Sequence, residues 1–99
     1  MHEALPGGDL IEKGLIDLRA GRETIEALLV AIGATRLRQT GVDVPRHRWL
    51  LPEHQLYDLL AKDDSDSAHS RYNALIRRLV SYERAAECAK SLAEAPTAD

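Results

Sequence analysis

The chain contains no phenylalanine, few other aromatic residues and little valine. The aromatic fraction is 4%, while leucine and alanine dominate the apolar residues. Leucine and alanine are the best apolar helix formers, whereas strands favour β-branched and aromatic side chains. The composition therefore argues against a protein built from sheet and predicts an all-α fold.

Cysteine and long apolar runs are also scarce. Cys88 is the only cysteine, which excludes an internal disulfide and favours a reducing compartment. No stretch approaches the run of about 18 apolar residues that a bilayer-spanning helix needs. The N-terminal sequence MHEALPGGD lacks the basic start and apolar run of a signal peptide. We therefore expect a cytoplasmic protein, of bacterial origin, without a membrane partner.

Acidic residues outnumber basic ones, and the formal net charge is −3 at pH 7. General attraction to a polyanion is thus not expected of the whole molecule. The charges are nevertheless uneven, because residues 36–48 carry four arginines against one aspartate, whereas residues 53–66 carry five acids against one lysine. Arginine outnumbers lysine ten to three, which suits recognition of carboxylate or phosphate but follows equally from genomic base composition.

At 99 residues the chain has room for one domain, covering residues 1–99 with flexible ends at 1–8 and 95–99. Caps, glycines and prolines divide it into four helices. The first runs from an Asp9 N-cap to about Ala20, the second from Arg22 to Gly41, the third begins at Pro52, and the fourth runs from Ser67 to about Ala93. We predict a four-helix bundle-like single domain with a long C-terminal helix.

Two features of the predicted middle region concern packing. Gly33 costs about 1 kcal/mol relative to alanine inside a helix. Either the helix breaks there or, as we favour, a neighbouring helix approaches closely, with the alanine-rich end of the long helix as the neighbour. The connection at 42–51 is expected to be pinned to the core by its large apolar residues, which are Val42, Val44, Trp49, Leu50 and Leu51.

The long C-terminal helix carries a single apolar seam with 4-3-4-3 spacing, typical of a bundle or coiled coil. Its members are Ala68, Tyr72, Leu75, Leu79, Tyr82, Ala86, Ala89 and Ala93. The helix spans about 40 Å, and the predicted first and third helices are barely half as long. Part of it should therefore protrude and pack against a second copy of the chain. The predicted interface residues are Tyr72, Leu75, Leu79, Tyr82, Ala86 and Ala89, and packing within one chain is the alternative.

A basic segment with one aromatic residue precedes the third helix. Its members, Arg36, Arg38, Arg46, Arg48 and Trp49, form a possible anion or nucleic-acid contact. Arginine binds phosphate and tryptophan stacks on bases. We favour the alternative that Trp49 is a hydrophobic plug and the charges are solvated. The arginines of the long helix are expected to pair with acids nearby.

Catalytic and metal-binding patterns are sparse, and we expect no cofactor and no metal. His54 and Asp58 stand at i,i+4, with His69 beyond the acidic turn, but surface charge accounts for them. Arg48 and His54 are separated by five residues, which resembles the Arg-x4–6-His motif of HEPN ribonucleases. The resemblance implies a small dimeric all-α nuclease in which these two residues act.

These patterns favour a non-catalytic helical protein–protein interaction or regulatory module that self-associates through the C-terminal helix. On this interpretation Tyr82→Asp separates the subunits and leaves helicity largely intact. The first alternative is a nucleic-acid-associated protein that uses the Arg36–Trp49 basic segment. The second is a small HEPN-like nuclease or a metal-dependent hydrolase.

Overall fold

The computed structural model describes residues 5–94, without the side chains of 93 and 94, and all the regular structure in this range is helical. The all-α prediction is confirmed. The described chain contains five helices because the predicted second helix is divided at Gly33. In chain order they are α1 (Gly8–Arg19), α2 (Ile25–Ile32), α3 (Ala34–Gln39), α4 (Pro52–Asp63) and α5 (Ala68–Glu94).

The predicted flexible ends lie mostly outside the described residues, at 1–4 and 95–99. Leu5 packs against the hydrophobic core, and Gly7 precedes α1 with φ +75°. A side chain on Gly7 would come within 3.0 Å of the Arg78 carbonyl oxygen on α5, so glycine fits this close approach. Asp9 is therefore not the N-cap; it lies in the first turn, where its carboxylate accepts a hydrogen bond from Arg78 at 3.1 Å.

The turn between α1 and α2 satisfies its own backbone. Gly21 follows the end of α1 with φ +73°, as predicted for a C′ residue. The Arg22 N–H donates to the Asp17 carbonyl at 2.9 Å and the Gly21 N–H donates to the Leu18 carbonyl at 3.1 Å, which completes a Schellman motif. The Thr24 hydroxyl oxygen then caps α2 by accepting from the Ala27 N–H. α1 and α2 are thereby fixed as a hairpin.

Gly33 combines both of the expected alternatives. Its φ of −90° and ψ of 7° interrupt the helix, although the Leu37 N–H still donates to its carbonyl at 2.8 Å. A Cβ at this position would lie 2.8 Å from Leu79 Cδ1 and from Glu83 Oε2. The close approach is therefore real, but the neighbour is the middle of α5. The prediction of its alanine-rich end was wrong.

The connection at 42–51 is anchored at its start and exposed at its end. Val42 and Val44 are buried and Trp49 packs partly against the core, as predicted. Leu50 and Leu51 are 92% and 59% exposed, so the prediction that they pin the connection was wrong. The physical reason is that Pro52, the first residue of α4, takes the buried position and the chain before it points outward.

α2 lies at the centre of the fold and contacts each of the other helices, α1, α3, α4 and α5. Its residues 27–31 are buried consecutively, as expected for a helix covered on all sides. α4 also packs on α5, and the described chain extends 57 × 26 × 20 Å. The largest fully buried side chains are those of Tyr82, Ile11, Leu28, Leu29, Leu37, Leu56, Leu60 and Val30.

Candidate functional site

The apolar seam of α5 is divided between the chain's own core and solvent. Ala68, Leu79, Tyr82 and Ala86 are buried, Tyr72 and Leu75 are half-buried, Ala89 is exposed, and the side chain of Ala93 lies outside the described part. Packing within one chain therefore accounts for the seam as far as Ala86. Of the six predicted interface residues, only Ala89 is fully open to a second copy.

The buried part of the seam is covered mainly by α4 and the N-terminal segment. The Tyr57 ring of α4 lies 5.9 Å from the Tyr72 ring at an angle of 58°. Tyr82 is 1% exposed, and its Cβ lies against Gly7. Burial, with a smaller contribution from the Glu12 carboxylate, raises the pKa of the Tyr82 hydroxyl. Tyr82 is thus a core residue of the single chain.

Glu83 is the buried carboxylate of α5, and it lies against Gly33. Within residues 5–94 it makes no hydrogen bond or ion pair. Burial raises the pKa of Glu83, and the nearby charge of Arg36 partly opposes this shift. The contact between α5 and the α2–α3 junction therefore contains a buried carboxylate without a hydrogen bond or ion pair in the described chain.

We call residues 87–92 the exposed end of α5, because every side chain in this range is exposed. Two polar contacts connect it to α3. The Arg36 guanidinium pairs with the Glu87 carboxylate at 3.0 Å, and the Lys90 ammonium donates to the Gln39 carbonyl at 2.7 Å. Leu92 is 73% exposed and was not among the predicted interface residues. The sequence signal for it is its position three residues after Ala89, beside the seam rather than on it.

An apolar groove of ≈ 430 Å³ lies beside the exposed end of α5. Small side chains of α5 form part of its lining, and Leu5 and Val42 contribute from outside the helix. Its lining residues are Leu5, Thr40, Gly41, Val42, Tyr82, Ala86, Ala89 and Lys90. The groove and Leu92 place apolar surface at the same end of α5.

The arginines on the helices are partly paired. On α5, Arg71 pairs with Asp63 at 2.7 Å and Arg78 with Asp9 at 3.1 Å. Arg77 and Arg84 make no ion pair or hydrogen bond within residues 5–94, so the predicted pairing holds for two of the four arginines of α5. In the predicted basic segment, Arg36 pairs with Glu87. Arg38 donates from Nε and Nη2 to the Val44 carbonyl oxygen, at 3.2 and 3.0 Å. Two of the four arginines in that segment thus have structural partners.

The other two arginines lie on an exposed loop, residues 46–49, which we call the basic loop. Arg46 and Arg48 are exposed and have neither an ion pair nor a hydrogen bond within residues 5–94. The His47 and Trp49 rings lie 5.7 Å apart at 31°. Together with Leu18 and Gly21, the four loop residues line a cavity of ≈ 250 Å³. Trp49 is therefore only partly a plug and also lines this cavity.

The residues of the two enzyme alternatives are not brought together. Arg48 lines the basic-loop cavity, whereas His54 lines a separate shallow depression with Glu53, Tyr57 and Tyr72. The described residues contain no group of three or more His, Cys, Asp or Glu side chains placed to hold a metal ion. Within the same range no helix is long and apolar enough to cross a membrane.

Comparison of the chain with protein-family models, with curated proteins and with solved structures gave no match.

Proposed function

We propose that this protein is a non-catalytic binding module that self-associates through the exposed end of α5. The observation that carries the proposal is Leu92, which is 73% exposed and follows Ala89, a residue of the apolar groove, by three positions on α5. An isolated exposed leucine is ordinary, but an exposed leucine and an apolar groove at the same end of one helix are typical of an interaction surface.

The sequence around the exposed end of α5 is self-complementary. Ala85, which is half-buried just before this end, is spaced i, i+4 and i+7 with Ala89 and Leu92, so the three share one face of α5. In an antiparallel pair of α5 helices with a twofold axis near Cys88 and Ala89, Leu92 lies opposite Ala85 of the second copy. The twofold axis repeats this pairing, so a large Leu92 side chain packs against a small Ala85 side chain at two places, as an isologous interface requires. The central alanines allow the helices to approach closely.

The proposed interface is small. The exposed end of α5 covers fewer than two turns of helix, while stable interfaces bury about 800 Å² on each partner. We therefore expect a weak dimer whose population rises with protein concentration. An exposed Cys88 is compatible with the reducing, cytoplasmic location that belongs to the same proposal.

Sedimentation velocity over a range of concentrations tests this proposal. The wild-type mass should move from monomer towards dimer as concentration rises, and Leu92→Asp should stay monomeric because a carboxylate would have to be desolvated in the interface. The matched control is Ile16→Asp, which changes a 49% exposed aliphatic residue on α1 and should associate like the wild type. A wild type that is monomeric at every soluble concentration would overturn the proposal.

A further inference from the structure

We propose that the basic loop binds one nucleotide of a single-stranded nucleic acid, with its base against Trp49 and its phosphates on Arg46 and Arg48. This proposal uses a different surface from self-association and does not depend on it.

The loop arginines have no carboxylate partners within the described chain, whereas Arg36, Arg71 and Arg78 each have one. Arg77 and Arg84 of α5 also lack a partner, but Arg46 and Arg48 line the same cavity. Exposed, planar guanidinium groups are suited to phosphate, because their N–H donors match two phosphate oxygens at once. The two arginines alternate along the loop with His47 and Trp49, and basic groups next to a stacking aromatic ring are a combination that proteins binding single strands use.

The cavity beside the basic loop has the size of a small ligand site. Its volume of ≈ 250 Å³ lies just below the range of drug-sized ligand sites, which begins at about 300 Å³, so it suits a small unit. Leu18 and Trp49 offer apolar surface to a base. Gly21 adds no side chain, and a Cβ built there meets no atom within 4 Å, so the cavity stays open on that side.

The basic loop is anchored on both sides before any ligand binds. The Arg38 guanidinium donates to the Val44 and Pro45 carbonyl oxygens, and Val44 is buried. At the other end Pro52 is buried at the start of α4. A site whose backbone is already ordered loses less conformational entropy on binding.

His47 supplies a further polar group. It lines the cavity, and its Nδ1 is buried without a hydrogen-bond partner within residues 5–94. Buried polar atoms without a partner are uncommon in folded proteins. Because this atom is buried in the unbound chain, the His47 ring must rotate before an amino or hydroxyl group of a bound nucleotide can provide the partner.

The competing ligand is an anionic membrane surface, because Leu50 and Leu51 are exposed next to the loop. Insertion into a bilayer would bring the whole connection to the lipid plane, including the exposed carboxylates of Asp43 and Glu53 on either side. These carboxylates would be repelled by anionic lipid. A single strand that enters the cavity can avoid them, so the concave, arginine-lined site favours nucleic acid.

Trp49 is the only tryptophan in the chain, so tryptophan fluorescence, excited selectively over that of the three tyrosines, reports on this loop alone. The full chain is titrated with a single-stranded oligouridine of about 12 nucleotides, long enough to span one such site. Binding should quench Trp49 fluorescence in a saturable way. With two phosphate contacts the salt slope is about −1.4, so affinity should fall about seven-fold between 50 and 200 mM salt.

Two double variants distinguish the contribution of the loop arginines to RNA binding from that of the exposed leucines. Arg46→Gln/Arg48→Gln should weaken RNA binding at least ten-fold and bring the salt slope towards zero, whereas Leu50→Ser/Leu51→Ser should bind like the wild type. Leu92→Asp should also bind RNA normally, which separates this test from that of self-association. Circular dichroism checks that each variant is folded. If the arginine variant is unfolded, Trp49→Leu takes its place, and RNA binding is then measured by the fluorescence anisotropy of labelled RNA. Binding by Trp49→Leu that equals binding by the wild type would contradict the proposed site.

The same titration is repeated with phosphatidylglycerol vesicles and with inorganic phosphate as alternative ligands. Neither should change Trp49 fluorescence at the concentrations at which RNA saturates. No quenching by RNA, or equal loss of RNA binding in both double variants, would overturn the proposal. A response to vesicles alone that disappears in Leu50→Ser/Leu51→Ser would overturn it in favour of a lipid surface.

Discussion

The two parts of α5 carry the same 4-3-4-3 pattern and lie in opposite surroundings. From residue 68 to residue 86 the pattern packs against α2, α4 and the N-terminal segment, whereas residues 87–92 are exposed. The cause is length, because α4 has 12 residues and α2 has 8, against 27 in α5. Periodicity therefore identifies the apolar face of a helix, but the lengths of its neighbours decide how much of that face the chain itself covers.

The largest effect should come from a charge in the buried part of the seam. Tyr82→Asp places a carboxylate where the native side chain is 1% exposed, and we expect the chain to unfold or to lose more than about 4 kcal/mol. This replaces the expectation from sequence that the variant would stay helical. Urea unfolding followed by circular dichroism measures the loss.

Ala89→Asp is the control for that experiment, because it puts the same charge on the next exposed position of the same seam. Its stability should stay within about 0.5 kcal/mol of the wild type. Equal destabilisation by both substitutions would show that the two parts of α5 do not differ.

A smaller effect is expected at the α1–α2 turn, where a buried carboxylate is fully partnered. The Asp17 carboxylate accepts from Lys13 Nζ and Thr24 Oγ1, each at 2.7 Å. These hydrogen bonds, that from Lys13 first, hold the pKa of Asp17 below its usual value. The stabilisation is therefore present above the unfolded pKa of about 3.9 and is lost as pH falls through the folded value. Asp17→Asn should destabilise the chain at neutral pH and flatten this acid dependence.

The effect of Glu83 on stability should depend on pH in the direction opposite to that of Asp17. Its pKa is raised in the folded chain, so stability decreases as pH rises from the unfolded pKa of about 4.3 through the folded value. Glu83→Gln should therefore stabilise the chain at pH 7, by an amount of order 1 kcal/mol. The gain should vanish below pH ~4. Thermal unfolding across pH measures both, with the exposed Glu87→Gln as a control that lacks the effect. A loss of stability at pH 7 would mean that Glu83 has a favourable partner.

The smallest effect on stability belongs to the exposed end of α5. Leu92→Ser should change the unfolding free energy by less than about 0.5 kcal/mol, because the side chain is mostly in solvent. The same substitution should nevertheless reduce the dimer population at high concentration. Chemical denaturation and sedimentation of the same sample give the two quantities. A marked loss of stability would place Leu92 in the chain's own core.

Much of the fold follows from local residue chemistry. Gly21 and Gly41, which both have positive φ, end α1 and α3, and Pro52 begins α4, as expected. Asp9 was predicted to be the N-cap of α1, but Gly7, which α5 approaches closely, takes that position. Leu50 was predicted to anchor the connection, but Pro52 takes the buried position. The first error depends on a neighbour that is distant in sequence, which local patterns do not contain, whereas the second involves Pro52, only two residues along the chain.

The candidate sites were less predictable for the same reason. The six predicted interface residues lie on one helix, but α2, α4 and the N-terminal segment of the same chain cover most of them. In the basic segment, the sequence cannot separate Arg38, which holds the loop backbone, from Arg46 and Arg48, which have no partner in the described chain. Only the structure, in which Arg38 of α3 bonds to the connection, distinguishes Arg38 from the two loop arginines.

Oxidation of Cys88 tests the central claim most directly, since this only cysteine lies in the exposed end of α5, near the proposed twofold axis. Under mild oxidation the wild type should form an intermolecular disulfide much faster than Leu92→Asp, because association brings the two thiols within reach of each other. Equal rates in the two proteins, at the same concentration, would contradict self-association through this end of the helix.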